Sequence, residues 1–366
     1  MTRILQVFRP RTGGTFGHVR VLSSKLAERG HEVAVCGPPG EGSDFAVRHF
    51  DAAIPRSPAP AGTVAAVREV GRAYRTFRPD VIHAHGAQAG VVARLARAAL
   101  PGVPLVHTPH RYAFDDGGGP TPVRAAYRAT ERALMPLTSR VLCVCEWERR
   151  LAVDLGAGDR ACVVHNGIDP LEPQPLEPRL ERFTAGGPLI VAVSELFARK
   201  GVPVLLEAMA MVLVARPDAR LIVAGDGPDR ADAEAARDRL GVASRVLLAG
   251  HVEAVPGLLT AADVFVNPAL AESFPYGILE AMSLRCPCVV TAAGGSAEAI
   301  VDGSSGRVVP PADPAALAAA ILELLADRQR AGAYGEEAAR RVRERFTLTG
   351  MLDGTEGVYE GLLSAG

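Results

Sequence analysis

The chain has 366 residues, too many for one ordinary core and about right for two, because single cores stop growing before ~250 to 300 residues. Hydrophobic residues make up 48% and charged residues 22%, with 38 Gly and 28 Pro, which excludes a disordered, collagenous or coiled-coil chain. No uncharged apolar run approaches the ~18 to 20 residues of a membrane span, and the start MTRILQVFRPRTGG lacks a signal core, so a cytoplasmic protein is expected.

Net charge is only −1, yet residues 1 to 170 carry 22 Arg+Lys against 15 Asp+Glu, leaving 18 against 26 for the remainder. The basic first half allows peripheral contact with an anionic membrane face or an acidic acceptor, and reads equally as a mixed solvated surface. No nucleic-acid partner is expected. Only Lys25 and Lys200 are lysine among 40 basic residues, so Lys200, lying in a motif, marks a place that wants a compact ammonium. The six cysteines Cys36, Cys143, Cys145, Cys162, Cys286 and Cys288 sit in or beside apolar runs and read as reduced core thiols; C-x-C on a strand would aim both thiols at one face.

In chain order the strand-like runs are RILQVF (3 to 8), EVAVCG (32 to 37), DVIHAH (80 to 85), PLVHTPH (104 to 110), RVLCVC (140 to 145) and ACVVHNGI (161 to 168), with helical stretches between. They are continuously apolar, as strands covered on both faces should be. After the proline-rich PLEPQPLEPRL (170 to 180) the pattern restarts with PLIVAVSE, RLIVAGD, RVLLAG, DVFVNPA, PCVVTA and GRVVPP. The fold class is therefore α/β, two Rossmann-like doubly wound domains joined by a linker near 170 to 185. From about 313 the chain is helical, opened by Asp313 and Pro314 as cap and first-turn proline, and LTGMLDGTEGVYEGLLSAG reads as one more helix. Open α/β sheets bind ligands at the carboxyl ends of their strands, so the gap between two such lobes is where a site is expected.

Three motifs lie at such ends. RPRTGGTFGHV (9 to 19) puts Gly13, Gly14 and Gly17 between a strand and a helix, either to cradle a phosphate on backbone N–H groups or to make a tight turn. AGDGPDR (224 to 230) ends in Arg230 where a dinucleotide fingerprint wants Gly or Ala, and EVAVCG and RVLLAG lack the acid that would hold a ribose, so nicotinamide cofactors are not expected. The third, ALAESFPYGILEAMSLRCPCVV, carries Glu272 and Glu280 eight residues apart. Helical spacing buries Ile278, Ala281 and Met282 and leaves Glu280 at the edge of an apolar surface, where a carboxylate needs specific donors such as a ribose diol. The helix start near Tyr276 and Gly277 offers N–H groups to a diphosphate, but one helix end is worth only ~0.3 to 2 kcal/mol. With no D-x-D anywhere for a divalent ion, Arg199 and Lys200 are the candidate cations.

Together, the pair Gly13-Gly14, R-K-G at 199 to 201 and E-S-F-P-Y-G-I-L-E at 272 to 280 resemble the retaining, family 4 type of glycosyltransferases with the GT-B fold. HTPHRYAF (107 to 114), VCEWER, HNGID, GDGPD, GHV and GGSAEAI fall in the same order, so the resemblance spans nearly the whole chain. It implies an acceptor-binding domain over 1 to 175, a donor-binding domain over 176 to 345 and a last segment, 346 to 366, crossing back to the first domain. It further implies that Glu280 holds the donor ribose and Glu272 the transferred sugar. Lys200 would bind the diphosphate with main-chain N–H groups of Gly14 and of Phe274, Tyr276, Gly277 and Ile278. Val252 would sit against the nucleobase, and His110 would line the sugar site beside Lys200 and Glu272 as the catalytic set. Where the family often has an arginine five residues before the lysine, this chain has Glu195, and Arg199 is the candidate replacement.

The function so implied is metal-independent transfer of a sugar, with retention, from a nucleoside diphosphate sugar (UDP-sugar first) to an acceptor hydroxyl on a glycan, lipid or small molecule. No resident cofactor is expected. The acceptor loops would include RYAFDDGGGPTP (111 to 122). A nucleotide-sugar epimerase of the same architecture, or a sugar-nucleotide-binding regulator, are the alternatives.

Overall fold

A computed structural model describes residues 1 to 40, 44 to 56, 59 to 98, 102 to 115 and 121 to 364. The chain forms two compact units, Met1–Asn166 with Thr349–Gly366, and Gly167–Leu348. The break falls between Asn166 and Gly167, ahead of the proline-rich stretch, which packs with the second unit.

The first unit is built on a seven-stranded parallel sheet: β1 (Arg3–Val7), β2 (Glu32–Gly37), β3 (Arg48–Asp51), β4 (Val81–His85), β5 (Leu105–Thr108), β6 (Arg140–Cys143) and β7 (Ala161–Val163). Their spatial order is β3-β2-β1-β4-β5-β6-β7. Both faces are covered, which is why these strands are apolar at successive positions. Leu5 and Val7 face a core with Val70, Phe77 and Val92, while Val35 packs in a second core with Phe8, Val19 and Phe45. β3, with the sequence RHFD, was not signalled by the apolar pattern; it is a short edge strand, where charged residues are tolerated. Cys145 lies beyond β6 as the cap residue of the helix Glu146–Asp154, so the C-x-C pair does not share one strand face. All six cysteines are free thiols, five of them buried.

The final helix, Leu348–Ser364, contributes to this first unit from Thr349 onward. Met351, Leu352 and Tyr359 are buried on it, and Gly354 lies so close to Val164 that an added Cβ would meet a methyl at 3.0 Å.

The second unit has a six-stranded parallel sheet: β8 (Leu189–Val193), β9 (Arg220–Ala224), β10 (Val246–Gly250), β11 (Val264–Asn267), β12 (Cys288–Thr291) and β13 (Arg307–Val309). The order β10-β9-β8-β11-β12-β13 is the doubly wound arrangement, as is the order of the first six strands in the first unit. One face is sealed by the helices Val202–Ala215 and Pro314–Ala326, through Leu205, Leu206, Met209, Leu317, Ile321 and Leu324. Asp313 caps the latter helix by accepting from the Ala316 N–H at 2.9 Å, with Pro314 in its first turn. The helical tail is interrupted at Asp327, whose side chain accepts from Arg330 N–H at 2.9 Å and starts a separate helix, Arg328–Arg345. In each sheet the winding reverses between two central strands, β1 and β4 or β8 and β11, and the chain must leave a crevice beyond their carboxyl ends.

Candidate active site

In the second unit, that crevice is bordered by the segments that follow β8 and β11. After β8 the chain makes a short turn, Ala198–Lys200, and Gly201 follows with φ 69°. A Cβ on Gly201 would stand 2.0 Å from the Pro268 carbonyl oxygen, so only glycine fits this crossing. The Arg199 carbonyl accepts from Leu270 N–H at 2.7 Å and from Ala271 N–H at 3.2 Å, fixing the R-K-G turn to the segment after β11. This fastening brings residues 72 apart together: Lys200 Nζ donates to Glu272 Oε2, both side chains being largely buried. The other Glu272 oxygen accepts from Ser273 N–H at 3.2 Å.

Arg199 extends from the same turn. Its Nη2 is 4.0 Å from Glu195 Oε2, and its Nη1 is buried with no hydrogen-bond partner among the described residues. The Glu195 carboxylate is thus matched by Arg199 over one turn of chain, and the arginine keeps one unspent donor.

Glu280 lies on the helix Tyr276–Ser283, whose cap residue, Pro275, has no side chain able to accept from its first N–H groups. Ile278, Leu279, Ala281 and Met282 are buried, and Glu280 is left half-buried between them with its carboxyl pushed above the ordinary value by desolvation. The side chain of Phe274 is core, packed on Phe346 with ring centroids 5.1 Å apart, and that of Ile278 is fully buried. Either residue can offer a ligand only its main chain, and the Ile278 N–H already makes a 3.3 Å bond to the Pro275 carbonyl. Gly277 would meet only ordinary contacts at 3.8 Å if it carried a Cβ.

Val252 is buried just after β10. The proline-rich stretch holds its neighbours: Glu177 accepts from Glu253 N–H at 2.8 Å and Ala254 N–H at 3.0 Å, and Arg179 donates to the Ala249 carbonyl at 3.0 Å. Sequence reading treated this stretch as linker and missed both residues; the signal available was a charge pair inside a proline run.

In the first unit, Gly13 has φ 83° and opens the helix Gly13–Glu28, whose cap Thr12 makes no side-chain cap bond. Among the described residues, none outside the local helix backbone lies within 4 Å of where a Cβ of Gly14 or Gly17 would stand, so tight packing is not what requires glycine there. One turn on, His18 is buried, and its ring lies edge-on to His110 with centroids 4.6 Å apart. His85, at the end of β4, bonds His110 from the other side, Nδ1 to Nε2 at 3.0 Å. His110 and Arg111 both have positive φ, 48° and 86°. That strained turn is held by the buried Glu148, which accepts from Arg111 N–H and from Val144 N–H. His18, His85 and Glu148 were not singled out from sequence, although H-A-H at a strand end and the acid of VCEWER were there to be read.

Burial lowers the imidazole of His18 to about 4, against an opposing bond from Asn166, and holds His83, His85, His107 and His110 well below the ordinary histidine value. The cluster is neutral at physiological pH. Nitrogens of His18, His85 and His110 lie within 4.8 Å of one another, the one trio among the described residues close enough to hold a metal ion. Three neutral imidazoles suit a borderline ion such as zinc and not the oxygen-seeking magnesium of nucleotide sites. Of RYAFDDGGGPTP, residues 116 to 120 lie outside the described residues.

Two α/β units, with a glycine loop at one crevice and a lysine–glutamate pair at the other, have the architecture of a GT-B glycosyltransferase. The chain matches the families described as glycosyl transferase 4-like domain, over residues 13 to 167, and glycosyl transferases group 1, over residues 187 to 327. It belongs to these family 4 glycosyltransferases. It is 33% identical to the D-inositol 3-phosphate glycosyltransferase of Frankia alni over 369 residues, covering 89% of this chain and 90% of the relative. Among solved structures it is similar to a sucrose-phosphate synthase from Thermosynechococcus elongatus, with TM-score 0.87, 21% identity and all of both chains covered. It is also similar to the Anabaena protein HepE in complex with UDP and glucose, with TM-score 0.83, 21% identity, and 99% of this chain and 100% of that one covered. The glycosyltransferase reading therefore stands, and nothing in these likenesses favours an epimerase.

Proposed function

We propose that the protein moves a sugar from a nucleoside diphosphate sugar, UDP-linked, to an acceptor hydroxyl with retention of anomeric configuration and without a divalent ion. The observation that carries this reading is the Lys200–Glu272 contact at the switch point of the second sheet. A lysine there is poised to exchange its carboxylate partner for a diphosphate, leaving Glu272 to accept from sugar hydroxyls. Glu280, half-buried and desolvated, is the ribose anchor, and the N–H groups at the start of its helix add a positive end for phosphate. Val252 is the base-side apolar contact. Arg199 supplies the second cation through its unspent Nη1, in place of the arginine absent at 195.

Bond breaking places charge on the leaving diphosphate, and the acceptor attacks from the same face while a leaving-group oxygen takes its proton; no protein nucleophile is needed. The protein's part is positioning and stabilisation of that charge. The UDP named with the HepE structure supports the choice of donor base. His110 lines the sugar site in this reading. The test is a thermal-shift screen of nucleoside diphosphates and their sugars, since a ligand of the folded state raises the melting point. UDP and one UDP-sugar should raise it and GDP-sugars should not. Product formation on an acceptor panel, with the anomer read by NMR, then tests transfer and retention. New isomers from UDP-sugar alone would support an epimerase instead.

A further inference from the structure

Three histidines of the first unit converge from three different elements at the carboxyl end of its sheet. His18 stands in the helix Gly13–Glu28, which follows β1; His85 ends β4; and His110 lies in the turn after β5. β4 is flanked by β1 and β5, so the three reach the same crevice. His18 and His85 are buried, and His110 is partly exposed. One nitrogen of each lies within 4.8 Å of the other two, and His85 Nδ1 is 3.0 Å from His110 Nε2. Ring centroids are 4.6 Å apart for His18 and His110, 5.3 Å for His85 and His110, and 5.5 Å for His18 and His85. A tetrahedral ion with nitrogens at ~2.0 to 2.1 Å holds its imidazole centres ~5 Å apart, so the rings already have the spacing of a three-histidine metal site.

The surroundings hold them there. His110 sits at φ 48°, a costly backbone, and the buried Glu148 fixes the turn by accepting from Arg111 N–H. The far nitrogen of His85, Nε2, is 2.7 Å from Oε1 of the buried Gln6, the kind of outer contact that orients a ligating imidazole. His85 and His110 meet through a hydrogen bond, and an ion would take the place of its hydrogen. Their nitrogens need part only from 3.0 Å to ~3.3 Å to share a tetrahedral centre, each ring turning slightly and carrying its hydrogen on the far nitrogen. The trio contains no carboxylate, which selects zinc or cobalt over magnesium and calcium. Three protein ligands leave a fourth position free, and the partly exposed His110 marks its open side.

We propose that His18, His85 and His110 form an inhibitory zinc site, separate from the metal-free transfer reaction, whose filling takes His110 away from the sugar. The site itself stands on the geometry of the three rings. Inhibition rests on the proposed function, which puts His110 at the sugar.

The experiment uses the full-length protein without an affinity tag, stripped with EDTA and dialysed, with cobalt and zinc ions as probes. Cobalt should bind as one equivalent and give the strong visible absorption of a four-coordinate ion, and zinc should displace it and abolish the band. Zinc should also raise the melting temperature. Absence of the cobalt band, or zinc that cannot compete with a micromolar chelator, overturns the site. His18→Ala and His85→Ala, each shown to be folded by its melting curve, should lose the band, and Gln6→Leu should weaken zinc binding ~10-fold to 100-fold. An unchanged band in both histidine variants would place the ion elsewhere and overturn the proposal. In the transfer assay one equivalent of zinc should inhibit, EDTA should restore the rate and magnesium should have no effect. Zinc bound at the trio without inhibition would overturn the inhibitory role and take His110 out of the sugar site. The cobalt spectrum reads the site even if the reaction proves to be another, so the two failures are told apart.

Discussion

Lys200 bears on the chemistry, whereas at Glu280 chemistry and stability pull in opposite directions. Lys200→Ala should lower kcat about 100-fold to 1000-fold, the usual loss when a donor to developing charge is removed, with a smaller change in KM for the donor. Steady-state kinetics with the true donor and acceptor check this. Glu280→Gln should weaken UDP binding by about 1.5 to 3 kcal/mol, roughly tenfold or more, as expected for losing bonds to a charged acceptor. The same change should raise the melting temperature of the unliganded protein. The Glu280 carboxyl is raised in the folded state by desolvation, so ionising it costs more there than in the unfolded chain. The native state then holds the proton more tightly, and stability is lost as pH rises through the ordinary and then the raised carboxyl value. The advantage of Gln should be full at pH 8 and fade as pH falls below the ordinary carboxyl range; melting curves of both proteins across pH would show a constant difference if this is wrong.

At the scale of elements, the R-K-G turn is placed by its crossing of the segment after β11. Gly201→Ala combines a left-handed backbone, worth about 1 to 3 kcal/mol, with a Cβ 2.0 Å from the Pro268 oxygen. Its unfolding free energy, measured by urea titration, should fall by at least that amount, and donor affinity should fall with it because Lys200 rides on the same turn. Gly14→Ala is the contrast. Among the described residues, none outside the local helix backbone lies within 4 Å of the added methyl, so stability should hold while donor binding falls if the glycine loop meets the diphosphate. Equal affinity for UDP-sugar in Gly14→Ala and the parent protein would remove that loop from the site.

On the scale of the whole molecule, each unit carries its own core, and the first is completed by a helix that returns from the far end of the chain. No helix among the described residues is long and apolar enough to cross a membrane. The surplus of basic residues before position 170 fits peripheral contact with an anionic membrane and plain solvation equally; sedimentation with anionic vesicles separates them, salt-sensitive binding favouring the first and no binding at low salt the second. Transfer activity should survive EDTA. Loss of activity that magnesium restores would contradict the assignment of phosphate charge to Lys200 and Arg199.

Periodicity and punctuation alone determined the two doubly wound lobes and twelve of the strands found among the described residues, because a strand covered on both faces is mostly apolar, and the short charged edge strand β3 carries no such signal. Lys200, Glu272 and Glu280 could be singled out as candidates because their motifs are local. What decided the rest was contact between residues far apart in sequence. The Lys200–Glu272 bond joins the segments after β8 and β11, and the hold of Glu148 on the turn after His110 spans 37 residues. The contact between Tyr359 and the buried His83 forms only because the last helix returns to the first sheet. Apolar patterning records which face of an element is buried. It carries no record of which polar atom meets which, since that is fixed by the crossing of elements after they pack.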